Sequence, residues 1–246
     1  MAMLEVAKMY KPNKQDKSMD KELHYCCTED GDSSEGKLYP GPKDDLQATT
    51  KAHSKATEAA IAYAQKMMEA LGIDLEDENF RDTPKRFVKY LKEFSQGYEA
   101  EEILKASFAH GGTEYHGMIA QTKIPFRGVC AHHLLPFLGE AHVGYIPNNR
   151  VVGLSKLSRL VKAVGLSTPS IQETITDKIA DHLMDHLEAK GVIVVVSAVH
   201  TCMAARGVAV SGVPTTTSSV RGLFRDVPPA RDEFFRLMQS TTSLRV

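Results

Sequence analysis

Two short segments constrain this chain more than any others: "GVCAHHLLPF" over 128–137 and "SAVHTCMAARG" over 197–207. Each places Cys beside His, the side chains that hold zinc-like metals through sulfur and imidazole nitrogen. A tetrahedral zinc ion takes four ligands, and a catalytic one takes three from protein and leaves the fourth place to water. Cys130 and His133 are three apart, so a turn or helix start aims both at one point and sends His132 elsewhere. His200 and Cys202 are two apart where an apolar run ends, hence on one face of a strand. Neither segment has enough donors alone. A fold that uses them must bring the two segments together, with Cys130, His133 and Cys202 as ligands and His132 and His200 beside them. The competing reading is of cysteines as small buried apolar groups and histidines as satisfied core residues.

The chain has 246 residues and only four cysteines, with no obvious disulfide framework. Its 30 Lys and Arg nearly balance 31 Asp and Glu, so no overall field draws nucleic acid or an anionic membrane. An anionic ligand must therefore be met by a local group of basic residues. No apolar run is long enough for a membrane span, and the N-terminus lacks a signal-peptide core. A reducing cytoplasm is the expected setting, where Cys beside His reads as a ligand or nucleophile.

Residues 1–50 are polar and rich in turn formers, as in "TEDGDSSEGKLYPGPKDD", and are expected to form a mobile arm. Cys26 and Cys27 lie there beside His24, with no second Cys pair nearby, and are not read as a metal site. The folded body is expected over 51–246, helical over 51–110 and with a mixed core over 111–246. Ile61, Ala64, Met68 and Leu71 recur at helical spacing before Gly72. Thr83 and Pro84 read as the cap and first residue of a second helix with Phe87, Leu91 and Phe94 inward. "GEAHVGYIP" alternates as a half-buried strand, and "VIVVVSAVH" is β-branched enough for a buried one. Between them lie two helical patterns. One carries Leu154, Leu157, Val161 and Val164. The other opens at Thr168 and Pro169, carries Ile171, Ile175, Ile179, Leu183 and Leu187, and ends at Gly191. "GVAVSGV" and "TTTSSV" read as strands and "PARDEFFRLMQ" as a closing helix. The order predicts an α+β fold with an antiparallel sheet and a helix pair, not a βαβ repeat.

Basic residues gather around these elements. Ser155, Lys156 and Arg159 sit on the first turns of one helix, Arg206 follows the second Cys–His segment, and Arg86 and Lys89 are three apart on an earlier helix. A solvated face accounts for such residues in most proteins, and a polyphosphate site accounts for them equally. The H-x-E and P-C-x-x-C pattern of nucleobase deaminases is missing.

With these residues assembled, the chain resembles the GTP cyclohydrolase I family. The resemblance is carried by "TPKRFVKYL", "CAHHLLPFLGEAHVGYIPNNRVVGLSKLSRLV", "IQETIT", "VHTCMAARG" and "TTTSSVRGLFR", in family order across most of residues 80–238. It implies the tunnelling fold (T-fold), in which the sheets of several copies join into a ring and two rings stack, usually as a homodecamer. It implies zinc on Cys130, His133 and Cys202, with His132 and His200 moving protons. The implied reaction adds zinc-activated water at C8 of GTP, opens the imidazole ring, releases formate, rearranges the ribose and recloses the ring as 7,8-dihydroneopterin triphosphate. Gln172 and Glu173 would hold the guanine. Ser155, Lys156, Arg159, Arg206, Arg86 and Lys89 would contact ribose or triphosphate, some from neighbouring copies. Ala131 stands where the family usually has Glu, and Thr174 where it usually has Arg. Two other readings are a relative acting on a different nucleotide and a non-catalytic zinc-containing ring that binds a pterin or nucleotide. Retention of both non-ligand histidines favours an enzyme.

Overall fold

In the computed structural model of the chain, residues 43–95, 97–105, 107–109, 117–148 and 150–240 are described, except for the side chains of 43–55, 107 and 109. Most of the expected arm over 1–50, with Cys26 and Cys27, lies outside them. The part within is helical, because α1 (Lys43–Ala70) begins ahead of the expected start at Lys51. Gly72, at φ +79°, takes the chain out of that helix in the left-handed region where glycine has no steric penalty. The elements α2 (Thr83–Glu93) and α3 (Ala100–Leu104) follow, and then β1 (Ser107–Ala109).

The centre of the fold is a four-stranded antiparallel sheet. Chain order gives β2 (Ile119–Val129), β3 (Pro136–Ile146), β4 (Arg150–Val152), α4 (Leu154–Ser167), α5 (Gln172–Leu187) and β5 (Gly191–His200). The short α6 (Thr201–Ala204) leads to β6 (Pro214–Gly222), α7 (Leu223–Asp226) and α8 (Pro228–Ser240). The main sheet runs β2-β3-β5-β6, and β1 pairs separately with β4. The α+β expectation of an antiparallel sheet with a helix pair is met.

Burial follows the sequence periods. Ala141, Val143 and Tyr145 of β3 and Val192, Val194 and Val196 of β5 are fully buried in the cluster beneath α4 and α5. The helices contribute Leu157, Leu160, Val161 and Val164, and Ile175, Ile179, Leu183 and Leu187. Burying one such aliphatic side chain contributes about 1.5–3 kcal/mol, so this interface supplies most of the drive for folding. The intervening β5 residues Ile193 and Val195 face the other way, where Phe224 and Phe234 cover the sheet. Leu154 and Ile171 were expected in the helical stripes, yet each lies one turn or less from a helix start and is exposed.

Several boundaries differ from expectation for local physical reasons. The cap position of α2 is Asp82, with Thr83 as the first helical residue. The helix expected from Thr168 starts at Gln172, because Ser170 is extended: its N–H donates to Val129 O, and its own carbonyl accepts from Ala131 N–H. Glu188 in the left-handed conformation, not Gly191, closes α5, and Gly191 opens β5. The expected strand over 207–213 does not form, since Gly207, Ala209 and Gly212 all have positive φ. Strand β2 escaped sequence reading. Lys123 at φ +56° and Pro125 interrupt its alternation, which an edge strand tolerates through a bulge between Gln121 and Ile124.

Helix α4 lies so close to β2 that a Cβ built on Gly165 would stand 2.4 Å from Arg127 O. Gly165→Ala should therefore lower stability by about 1–3 kcal/mol through overpacking, although Ala is the better helix former by about 1 kcal/mol. Chemical denaturation checks the sign. On the opposite side of the helix pair, α5 is tied to β6 by Arg221, whose Nη2 lies 3.0 Å from Asp177 Oδ1 and whose Nε lies 2.8 Å from Asp181 Oδ1. The Ser219 hydroxyl also donates to Asp177, and these bonds hold its carboxyl below its ordinary pKa. A depressed folded-state pKa means that this stabilisation is present above the unfolded value and lost as pH falls through the folded one. Asp177→Asn should cost up to about 1 kcal/mol at neutral pH, as expected for a half-exposed ion pair. The difference from the parent should vanish in strong acid, as read by urea unfolding across pH.

Candidate metal centre

The strand register builds the site. Gly128 pairs with Phe137, and Phe137 pairs in turn with His200, so β2 and β5 end level with one another on either side of β3. Cys130 lies just past the end of β2, and Cys202 lies in α6 just past the end of β5. Between Cys130 and Leu135 the chain makes a tight turn. Leu134 N–H donates to Cys130 O, Cys130 N–H donates to Leu135 O, and Leu134 itself takes φ +53°. The turn is further held by the Tyr90 hydroxyl of α2, which donates to Leu134 O at 3.0 Å. Thr201 fastens the other side by donating to Pro136 O at 2.6 Å.

This arrangement brings Cys130 Sγ, Cys202 Sγ and a ring nitrogen of His200 within 4.8 Å of one another, and no other such group occurs among the described residues. His132 Nδ1 and His133 Nδ1 approach Cys130 Sγ at 3.7 and 3.8 Å, but neither belongs to that mutually close set. The donor chemistry fits a borderline-soft divalent metal. Burial pushes the Cys202 thiol pKa up and the adjacent Cys130 pushes it further, with Arg206 opposing weakly. Two sulfurs so close repel one another as thiolates until a cation lies between them. His200 is pushed down by burial and partly raised by the nearby Glu173 carboxylate.

Among the expected ligand-binding residues, Glu173 is exposed in the first turn of α5, beside His200, where the helix dipole favours its negative charge. Its neighbour Gln172 is the reverse. It is only 2% exposed, and its side-chain amide bonds to Val196 O, Thr215 O, Thr217 Oγ1 and His200 Nε2. In this conformation its amide hydrogens are engaged within the fold and its Oε1 faces His200. Ser155 and Arg159 are exposed and Lys156 is half-buried at the start of α4. Arg159 also borders a concavity of ≈ 200 Å³ with Tyr98, Lys162 and Leu166 that contains none of the Cys–His cluster. Arg206 is exposed beyond α6, close enough to influence Cys202. Arg86 and Lys89 are exposed on α2, with Arg86 paired to Asp82 at 3.7 Å.

Two parts of the site were not anticipated from sequence. Phe137 stacks on the His200 ring with centroids 4.3 Å apart and planes 6° from parallel. Thr176 and Thr217 complete the bonds around Gln172. The adjacency of "LLPF" to the Cys–His turn is the one available signal for Phe137. Nothing local marks Thr217.

Residues 60–239 match the GTP cyclohydrolase I family. Curated relatives bearing the name GTP cyclohydrolase 1 align over nearly their whole length. That from Hydrogenobaculum sp. (strain Y04AAS1) is 41% identical over 182 residues, covering 74% of this chain and 97% of the relative. That from Halalkalibacterium halodurans is 43% identical over 189 residues, covering 76% and 97%. That from Streptococcus pneumoniae serotype 4 is 41% identical over 184 residues, covering 74% and 98%.

Removing either sulfur should abolish tight divalent-metal binding, because an open site with three protein donors cannot spare one. Metal analysis after dialysis against zinc should find about one equivalent in the parent and far less in Cys130→Ala and Cys202→Ala. Full occupancy in both variants would show that the metal lies elsewhere.

Proposed function

The chain belongs to the GTP cyclohydrolase I family, and on that premise we propose that it hydrolyses GTP to 7,8-dihydroneopterin triphosphate with release of formate. The observation that carries this reading is the meeting of Cys130, Cys202 and His200 at one end of the sheet, with an acidic residue at the adjacent helix start. The metal is zinc, held by Cys130, Cys202 and His133. His133 is assigned as the imidazole ligand from the family resemblance, and its Nδ1 lies 3.8 Å from Cys130 Sγ. His200, by contrast, has one nitrogen bonded to Gln172 and its ring fixed against Phe137. The chemistry supplied by bound zinc is Lewis acidity that brings the pKa of water toward neutrality.

The protein's own groups do the rest. Guanine presents the ring N1–H and the exocyclic amino group side by side, and the Glu173 carboxylate accepts from both. Adenine has a lone pair at N1 and is repelled. His200 and His132 move protons to and from the opening ring and the ribose, a task suited to imidazole near neutral pH. The triphosphate is met by Lys156, Arg159, Arg206, Arg86 and Lys89, with Ser155 beside them. These groups spread over α2, α4 and the segment after α6, which favours a site completed by neighbouring copies. Strands β2 and β6 are the edges of the main sheet, and pairing them between copies removes the open edges and closes a ring. A homodecamer of two stacked rings follows from the family reading, and a cytoplasmic setting suits the free thiols.

Incubation of the purified protein with GTP should release one formate per GTP and give a dihydropterin absorbance, while ATP remains a poor substrate. His133→Ala should lose zinc and activity, whereas His200→Ala should keep zinc and lose about 10²–10⁴-fold in turnover. Glu173→Ala should weaken GTP turnover by about 2–4 kcal/mol, the loss expected when a hydrogen-bonding recognition site is broken. Absence of formate from the metal-replete parent would overturn the assignment, and unchanged GTP turnover in Glu173→Ala would remove this carboxylate as the guanine reader.

A further inference from the structure

We propose that Gln172 is a positioning residue that fixes the tautomer and orientation of His200, not a substrate contact; the inference rests on the cyclohydrolase reading above. Its side chain is one of the few polar groups in the core, at 2% exposure. The amide nitrogen Nε2 faces three oxygens, Val196 O at 3.0 Å, Thr215 O at 2.9 Å and Thr217 Oγ1 at 3.1 Å. A flipped amide would set its oxygen against two backbone carbonyl oxygens that cannot donate, so the orientation is decided by chemistry. The hydroxyls close the circuit. Thr176 Oγ1–H donates to Gln172 O at 2.7 Å, which commits its only proton. Thr217 must then donate to Thr176 across their 2.6 Å contact, leaving its lone pairs to accept from Gln172 Nε2. The ring of bonds starts and ends on Gln172 and has one consistent direction.

With the amide fixed, Oε1 lies 2.9 Å from His200 Nε2. An amide oxygen carries no proton, so Nε2 must donate. The neutral imidazole is therefore the Nε2–H tautomer, and Nδ1 carries the lone pair. Parallel stacking on the fully buried Phe137 sets the plane of the ring, and the bond to Gln172 sets its rotation within that plane. His200 thus meets the site with Nδ1 alone. A proton taken up there leaves the bond to Gln172 intact, since Oε1 accepts from Nε2–H in both the neutral and the charged ring. Gln172 acts entirely through His200.

The test separates positioning from substrate contact. Gln172→Met keeps the length of the side chain and removes its hydrogen bonds. Thr217→Val keeps the shape of Thr217 and removes one fixing bond, and Thr217→Ser restores the hydroxyl. With zinc content equal to the parent, Gln172→Met should lower kcat by about 10–100-fold, the usual cost of removing a partner that orients a functional imidazole, with KM for GTP unchanged. Thr217→Val should lower kcat in the same sense by a smaller factor, and Thr217→Ser should recover it. In solid-state 15N spectra of histidine-labelled protein, with His200 assigned by difference from His200→Ala, the parent should show the Nε2–H tautomer alone. Gln172→Met, or Gln172→Leu if the former fails to fold, should show a mixture, whereas Thr217→Val, which keeps the amide bonds to Val196 O and Thr215 O, should retain the parent tautomer. A raised KM with unchanged kcat would make Gln172 a substrate contact and overturn the proposal, as would a His200 tautomer unaffected by substitution of Gln172. Should the parent release no formate from GTP, the functional reading fails, and the 15N spectra still decide whether Gln172 sets the tautomer.

Discussion

The pairing of Gly128 with Phe137 and of Phe137 with His200 is the constraint on which the rest of the site depends. It levels the ends of β2 and β5 on either side of β3, so that the chains leaving those strands meet with Cys130 and Cys202 facing one another. Nothing at the sulfurs sets this register. It is set further along the strands, where Ala141, Val143 and Tyr145 must all face the helices together with Val192, Val194 and Val196. A slip of one residue would turn every one of those side chains to the opposite face and carry the donors away from one another. The core thereby determines a distance at its rim.

The entry into α5 shows a second coupling between packing and chemistry. The extended segment around Ser170 is bonded to Val129 and Ala131, which delays the helix until Gln172. Successive helical residues point about 100° apart, so Gln172 turns into the core while Glu173 stays at the surface beside His200. One residue can then brace an imidazole from behind while its neighbour faces a ligand from the front. A helix starting at Thr168 would leave the Ser170 backbone bonds unmade and uncouple this helix start from the Cys130 turn.

Much of the fold was legible because its elements have one buried face. Apart from Leu154 and Ile171, the stripes of α4 and α5 read correctly from period, and β5 read correctly from its β-branched run. Ala141, Val143 and Tyr145 of β3 are buried as expected, but His142 and Gly144 between them are buried too, so that strand is not half-buried. Misreadings fell where the backbone rather than the side-chain pattern decides. Positive φ at Gly207, Ala209 and Gly212 breaks an apolar run that looked like a strand, and the bulge at Lys123 with Pro125 hid a real one. Gly191 looked like a helix cap, but Glu188 takes the left-handed conformation first.

By itself the sequence determined which groups are available: two sulfurs, the adjacent histidines, an acidic helix start and scattered basic residues, on elements whose hydrophobic periods define an α+β core. It determined these because residue identity and periodicity are local properties. Only the tertiary structure decided that His200 lies within 4.8 Å of both sulfurs and that Gln172 turns inward to it, onto Val196, Thr215 and Thr217. Those outcomes depend on strand register and on where a helix begins. Both are settled by backbone hydrogen bonds and core packing between segments far apart in the chain, and no local pattern encodes them.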